Sequence, residues 1–492
     1  MSGEVLADEQ QGPGGTDGPP AGVASPTRED RFARWASAVL GGPAGHRVAA
    51  PGHPWWTPVR VLALVAGATS VLAVARAEHC RSAGWTTPGQ FVHACYSDVA
   101  VLHGTLGGRP AALLGLDPAG SDGLGQPALT TYAATALSAL VGPVERLSQR
   151  IVPAAEGVDA GSRVFFDLFG VLADLALVVM VVAVLRLSGR RPWDATLLAL
   201  SPVVVLSGLV SFDVLGVALG VVAVAVWARG NPLWAGVLLG LAVSARIHLV
   251  VVLLALLLLS LRAGTFRAVA LAGSAAAFVW AAVNLPLALL APRAWTAPAR
   301  GWWTSEPGYG SLLQVPRLLA DEQVAGVSAL TARQGTVASL VLTLAVLVAV
   351  TVWVLACPVP PRLPVLVLVL LVGTLLAAKN VPVQASVWLL PWAALAVPSW
   401  RDHLWWWGAE AVYVVGVWQF LVGLTEASRA LPAGFFAALL LGRLAAMGWL
   451  AVQAWRLSWR PAADPVRRDA DGADPAAGPL RGESDRFVLQ LV

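Results

Sequence analysis

The residues best suited to chemistry lie in short polar islands between long apolar runs. The first island reads His79-Cys80-Arg81-Ser82-Ala83-Gly84-Trp85, followed by His93-Ala94-Cys95-Tyr96-Ser97-Asp98-Val99. Asp98 has an aromatic, partly apolar setting, where a carboxylate tuned toward working pH can serve as a general base on a hydroxyl. An Asp capping a surface helix that begins near Val99 is an equal reading. Two of the three cysteines, Cys80 and Cys95, share this island. A disulfide between them is the preferred reading for a loop facing an oxidising compartment. The alternative is a metal site from Cys80, Cys95, His93 and His103, although that spacing matches no common zinc pattern.

Charges that interrupt apolar runs are the second signal, because they are costly in lipid and mark polar cavities. Asp213 opens a run after Ser211-Phe212, and Arg246 and His248 divide two apolar half-helices. Lys379 and Gln384 follow another run. Arg and Lys gathered at one leaflet suit a lipid-linked phosphate, the guanidinium fork especially; snorkelling to the interface is the plainer alternative. Asp167 and Asp174, near the start of their run, either cap it or face a cavity. Trp302 and Trp303, between Arg293-Ala294-Trp295 and Tyr309-Gly310-Ser311-Leu312, are candidates to stack on sugar rings. Aromatic-belt anchoring explains most of the 22 Trp equally well, Trp55, Trp56, Trp388, Trp392 and Trp405 to Trp407 included.

The elements that must position these residues are membrane helices. With 57% hydrophobic and 13% charged residues, the chain is too apolar for a soluble domain. Its apolar runs have the length needed to cross about 30 Å of hydrocarbon, and must be helical to satisfy their own backbone. The expected spans are Val59–Ala75, Val164–Leu185, Ala195–Val210, Val214–Ala228, Leu233–Ala245, Leu249–Leu261, Ala268–Leu290, Val337–Ala356, Leu363–Ala378, Val387–Val397, Trp405–Leu424 and Phe435–Trp455. The fold class expected is therefore all-α, a polytopic bundle of about 10–13 membrane helices.

Arginines in the turns at 186–191, 229, 262–267, 362, 401 and 456–460 gather on one side, which reads as cytoplasmic. Both tails then lie there, and the localisation expected is the plasma membrane. Asp213, Arg246, Lys379, Glu426 and outer loops at about 77–162 and about 292–333 fall on the opposite side. Parity makes Thr130–Val141, only about a dozen residues, a re-entrant or surface helix. Residues 1–54 are expected to be a disordered tail, 55–460 the membrane domain, and 461–492 a mostly disordered tail. The first apolar run starts too late for a cleavable signal peptide. The net charge of +4 is small, and nothing points to nucleic acid.

Taken in order, these pieces resemble the actinobacterial polyprenol-phosphate-dependent mannosyltransferases of glycosyltransferase family 87, which have the GT-C fold. The resemblance covers roughly residues 58 to 457. Cys95-Tyr96-Ser97-Asp98 looks like the family's outer-loop Cys-Tyr-Ser-Asp, and Arg190-Arg191-Pro192-Trp193-Asp194-Ala195 looks like its cytoplasmic turn. Phe212-Asp213 resembles its Asn-Trp-Asp, and Trp234-Ala235-Gly236-Val237-Leu238-Leu239-Gly240-Leu241 its Gly-rich half-helix. Asn284-Leu285-Pro286 and Gly310-Ser311-Leu312 match its outer-loop flanks, while Lys379, Gln384 and Trp388-Leu389-Leu390-Pro391 fit its Lys…Ser-Pro-Gln-Tyr…Trp-Leu-x-Pro element. Where the family has an acidic Glu-Tyr-Pro, this chain reads Gly125-Gln126-Pro127; where it has Lys-Leu-Tyr-Pro, Arg246-Ile247-His248-Leu249; and the Ser-Pro-Gln-Tyr core reads Pro382-Val383-Gln384-Ala385.

The resemblance implies a GT-C-like membrane glycosyltransferase of the cell envelope. It would move a sugar, mannose first among them, from a polyprenyl-phosphate donor to a lipid- or wall-linked glycan on the outer face. Asp98 would be the catalytic base, and Arg246, His248, Lys379, Gln384 and Asp213 would hold donor phosphate or substrate. The partners implied are membrane lipids, the lipid-linked donor and a glycan or glycolipid acceptor. No metal ligand is assigned, and a divalent metal stays open. A catalytically inactive relative and a polytopic transporter or lipid flippase are the alternatives.

Overall fold

The computed structural model describes residues 30–33, 35–36, 56–117, 122–148 and 160–489. The expected tail 1–54 lies outside the described residues apart from 30–33 and 35–36. So do Trp55, residues 118–121 and 149–159 of the first outer loop, and residues 490–492.

Among the described residues there is no strand, and the chain is an all-α polytopic membrane bundle. Five helices are long and apolar enough to cross a membrane: Pro58–Arg76, Ala160–Leu187, Arg267–Leu290, Ala332–Ala356 and Ala433–Trp459. Shorter apolar helical stretches are Pro192–Ser207, Asp213–Ala228, Pro232–Ala245, Ile247–Ala263, Leu363–Ala377 and Ala385–Ala396. Trp400–Gly423 is long but carries Arg401, Asp402, His403 and Glu410. Every expected span is helical within about a turn of its limits. Local sequence explains the starts. Thr57 caps the first helix ahead of Pro58, Asn231 does so ahead of Pro232, and Thr331 with Gln334 forms a capping box.

The core is centred on Leu363–Ala377, nearly all of whose side chains are buried. Val250–Ala263, Ala332–Ala356, Ala385–Ala396 and Ala433–Trp459 pack around it. By contrast Ala332–Ala356 exposes Val337, Val341, Leu344 and Val348, as a lipid-facing helix does. Gly236 and Gly240 let Pro232–Ala245 lie directly on Arg267–Leu290. A Cβ at those positions would stand 2.2 Å from the Ala272 carbonyl oxygen and 2.6 Å from that of Ala276.

Two expectations are corrected. The segment expected as a dozen-residue helix, Thr130–Val141, is a 21-residue helix, Ala128–Ser148. It continues through Gly142 and carries Pro143 inside it, so a Gly-Pro pair that reads as a stop does not end the helix. Thr130 donates to the Ala245 carbonyl and Ser138 to the Gly108 carbonyl, so this helix lies against segments on the Asp98 face. The C-terminal segment, expected to be mostly disordered, is ordered from Pro461 to residue 489. Its composition is polar, but its carboxylates meet arginines of the bundle. Asp464 pairs with Arg362 at 2.6 Å, Asp469 with Arg191 at 2.7 Å and Asp485 with Arg262 at 2.5 Å. Because these contacts gather the ends of several helices, the molecule has an arginine face and, opposite it, an Asp98 face.

Candidate functional site

The Cys95–Asp98 turn is held from four directions. A disulfide joins Cys80 to Cys95, which removes both thiols from the alternative metal site. Arg76 donates to the Val205 carbonyl at 2.9 Å and to the carbonyl of Ala94, whose φ of 50° is unusual outside glycine. The Ser97 hydroxyl donates to the Leu209 carbonyl at 2.8 Å, and the Asp98 amide to the Val210 carbonyl at 2.9 Å. Tyr96 packs between Phe91 and Trp418, with ring centroids 5.5 and 5.3 Å away.

Asp98 is the first residue of a short helix, Asp98–Thr105, yet its carboxylate is engaged by a side chain: the Tyr96 hydroxyl donates to it at 2.6 Å. Burial raises the Asp98 pKa, Asp213 raises it further, and the Tyr96 hydrogen bond and Arg246 pull it down, for a net upward shift. The result is a carboxylate biased toward accepting a proton.

Docking the turn on residues 209–213 brings Asp98 beside a buried charged group. Arg246 pairs with Asp213 through Nε and donates through Nη1 to the Gln126 amide oxygen at 2.7 Å. Trp388 donates its indole N–H to the other Asp213 oxygen at 2.7 Å. His248 stacks on Trp388 with centroids 3.7 Å apart, and its Nε2 is buried with no hydrogen-bond partner. Backbone irregularity places these groups. Pro232–Ala245 ends at Arg246, which is extended at φ −150°, before a 3-10 turn at Ile247–Leu249. Gly125, at φ 61°, makes the turn that delivers Gln126.

Asp98, Gln126, Ser211 and Arg246 line one narrow pocket, whose remaining walls are apolar side chains such as Leu102, Leu124 and Phe165. The Ser211 hydroxyl is buried there without a partner. A carboxylate biased toward a proton, an amide, a free hydroxyl and a cation thus line one pocket. That set can bind a hydroxylated ligand, take a proton from it and counter an anion.

Other expected site residues lie apart from this group. Lys379 is fully buried, and its Nζ donates to the Ser305 carbonyl and the Thr336 hydroxyl, both at 2.8 Å, 4.9 Å above the Trp302 ring. Trp303 is exposed, edge-on to Trp302. Gln384 is buried at the start of Ala385–Ala396 and makes none of the hydrogen bonds that join Asp213, Arg246 and Gln126. Lys379, Gln384, Trp302 and Trp303 are therefore not joined to Asp98 by any contact of this group. Asp167 holds Arg81 at 2.7 Å. Among the described residues no group of three or more His, Cys, Asp and Glu is placed to hold a metal ion.

Sequence reasoning did not single out three contributors. Arg76 was readable as a lone arginine ending a span on the face opposite the other arginines. Arg443 and Glu410 were readable as charges inside long helices. These two pair at 3.0 Å, both almost fully buried, and Arg443 also donates to the Val383 carbonyl at 2.9 Å and the Ser386 hydroxyl at 3.0 Å. They hold the turn that leads to Trp388. No family model matches the chain, and no curated protein matches it.

Proposed function

We propose that this protein is a membrane glycosyltransferase that passes a sugar, mannose in the first instance, from a polyprenyl-phosphate donor to a lipid- or wall-linked glycan. The observation that carries the reading is the convergence of Asp98, Gln126, Ser211 and Arg246, from four separate parts of the chain, on one pocket. The resemblance of Cys95-Tyr96-Ser97-Asp98 to the outer-loop motif of the polyprenol-phosphate mannosyltransferases supports it. In this reading the Asp98 face is extracytoplasmic in the plasma membrane, and the arginine face cytoplasmic.

Asp98 accepts the proton of the acceptor hydroxyl as that oxygen attacks the anomeric carbon. The bond from that carbon to the phosphate oxygen breaks, and polyprenyl phosphate leaves. Arg246 counters the charge that builds on the leaving phosphate, using the Nη2 that neither Asp213 nor Gln126 engages. Asp213 and Trp388 orient Arg246, and Ser211 donates to a sugar hydroxyl. Lys379 and Trp302 belong to a neighbouring unit at residues 305–311, and in this reading serve the lipid-phosphate end of the donor rather than the reacting carbon.

The test is transfer from labelled polyprenyl-phosphate mannose by membranes containing the protein, with Asp98→Ala beside it. Transfer lost in the variant supports the enzyme and its base together. Transfer equal in both removes Asp98 from the centre of the account.

A second reading rests on Gln126, an amide where the resembled family has an acid: a catalytically silent relative that binds the donor without turning it over. Binding of the donor with no transfer to any acceptor favours it.

A further inference from the structure

The arginine face carries an arrangement that the proposed reaction does not use. Arg191, Arg262 and Arg362 belong to three turns distant in sequence, and each meets a carboxylate of the single segment 461–489. Backbone contacts extend the grip. The Leu363 amide donates to Asp474 at 2.7 Å, the Trp227 indole N–H to the Ala477 carbonyl at 3.0 Å, and the Leu489 amide to the Leu355 carbonyl at 2.9 Å. The segment thereby ties together the ends of Ala160–Leu187, Asp213–Ala228, Val250–Ala263, Ala332–Ala356 and Leu363–Ala377.

The segment has little regular structure of its own. Its regular structure is one five-residue helix, Pro465–Asp469, and two single 3-10 turns, Pro461–Ala463 and Gly478–Leu480. Helices so short have no stability of their own in water. Its buried apolar side chains are Val466 and Ala476. Besides its ion pairs, it is held by the Arg486 and Phe487 amides, which donate to the Arg262 carbonyl, and by Arg467, which donates to the Pro360 carbonyl.

Those charges are graded along its length. Asp464 and Arg362 are each 2% exposed, whereas Asp469 and Asp485 are 24% and 26% exposed. A buried pair with one partner removed leaves an uncompensated charge and is costly to open, while water and salt weaken pairs that water reaches. The arginines of the two outer pairs keep other partners when their Asp leaves. Arg191 retains Asp194 at 2.8 Å, and Arg262 retains the Val354 and Cys357 carbonyls, both at 2.7 Å.

We propose that residues 461–489 are a conformational latch over the arginine face. Asp464 is its fixed hinge, and Asp469 and Asp485 are clasps that open and close. Closed, the latch holds five helix ends at fixed separations; open, it leaves them free to shift against one another.

The test is hydrogen exchange followed by mass spectrometry on the full-length protein in lipid nanodiscs. The comparison is between wild type, Asp469→Asn/Asp485→Asn and Asp464→Asn. In wild type the segment is protected, and the double variant speeds exchange of residues 465–489 by about tenfold or more. High salt does the same to wild type, and Asp464→Asn releases the segment back to Pro461. In the double variant residues 97–105 keep their wild-type protection, because both arginines retain partners. A segment that exchanges in wild type as fast as an unstructured peptide overturns the proposal. So does a double variant as protected as wild type, or one that loses protection across the whole bundle. The double variant decides the matter even where Asp464→Asn does not fold.

Discussion

The two faces of this bundle use the same pair of residue types to opposite ends. On the arginine face Arg362 meets Asp464 and also fills the Leu395 and Ala396 carbonyls, so its hydrogen-bonding capacity is spent within the protein. On the Asp98 face Arg246 meets Asp213, but the neighbouring Asp98, Ser211 and Gln126 open on a cavity. Both pairs are buried, and burial alone does not tell them apart. A pocket borders each pair; what differs is that the pocket beside Arg246 also holds Asp98 and a Ser211 hydroxyl without a partner, whereas Arg362 has spent its donors on Asp464 and two carbonyls.

That contrast can be broken or sharpened by substitution. The largest effect expected is loss of sugar transfer in Asp98→Ala, by about 10²–10⁴-fold for removal of a general base, with the thermal unfolding of the purified protein little changed. Asp464→Asn should do the reverse: stability falls by about 3–5 kcal/mol as the buried Arg362 loses the carboxylate that offsets its charge, and transfer per folded molecule stays near wild type. Asp213→Asn should do both, lowering stability by a similar amount and transfer as well, because Arg246 loses its charge partner and its orientation. Equal activity losses in Asp464→Asn and Asp213→Asn would dissolve the distinction between the faces.

The smallest effect concerns pH. The Asp98 pKa is raised, so its basic form, and with it transfer, appears only as pH climbs above the ordinary carboxylate value of 3.8. The Tyr96 hydrogen bond pulls that pKa down, so Tyr96→Phe should move the acid limb of the pH–rate profile further up. For stability the sign is opposite to that of a salt-bridged Asp. A raised pKa means the folded state holds its proton longer than the unfolded one. This group's contribution therefore falls as pH rises from 3.8 through the raised value, and is constant above it. An acid limb that moves down in Tyr96→Phe would contradict the arrangement.

The helical architecture was legible in the sequence because apolar length is a one-dimensional signal. The helix limits around Asp213, Arg246 and Leu363 all lay where hydropathy stopped and a charge or proline began. The disulfide was legible too, since Cys80 and Cys95 share one short loop. The partners of Asp213 and Arg246 were not. Trp388 and Gln126 come from elements far away in the chain, and an interfacial tryptophan looks the same whether or not its N–H is engaged. The partners of Lys379 were hidden for a related reason. Its spacing fits a phosphate-binding element, but its Nζ turns toward Ser305 and Thr336. The ordered C-terminal segment was hidden most completely. Its Pro, Gly and Asp content is that of a disordered tail, and its structure comes from arginines hundreds of residues earlier.

The contrast between the faces is tested most directly by hydrogen exchange of the intact protein in nanodiscs, with and without polyprenyl-phosphate mannose. The account predicts that the donor slows exchange at residues 97–105, 211–213 and 246–249 and leaves 461–489 as it was. Slowing confined to 461–489, or no change at 97–105 and 246–249 under saturating donor, would contradict it.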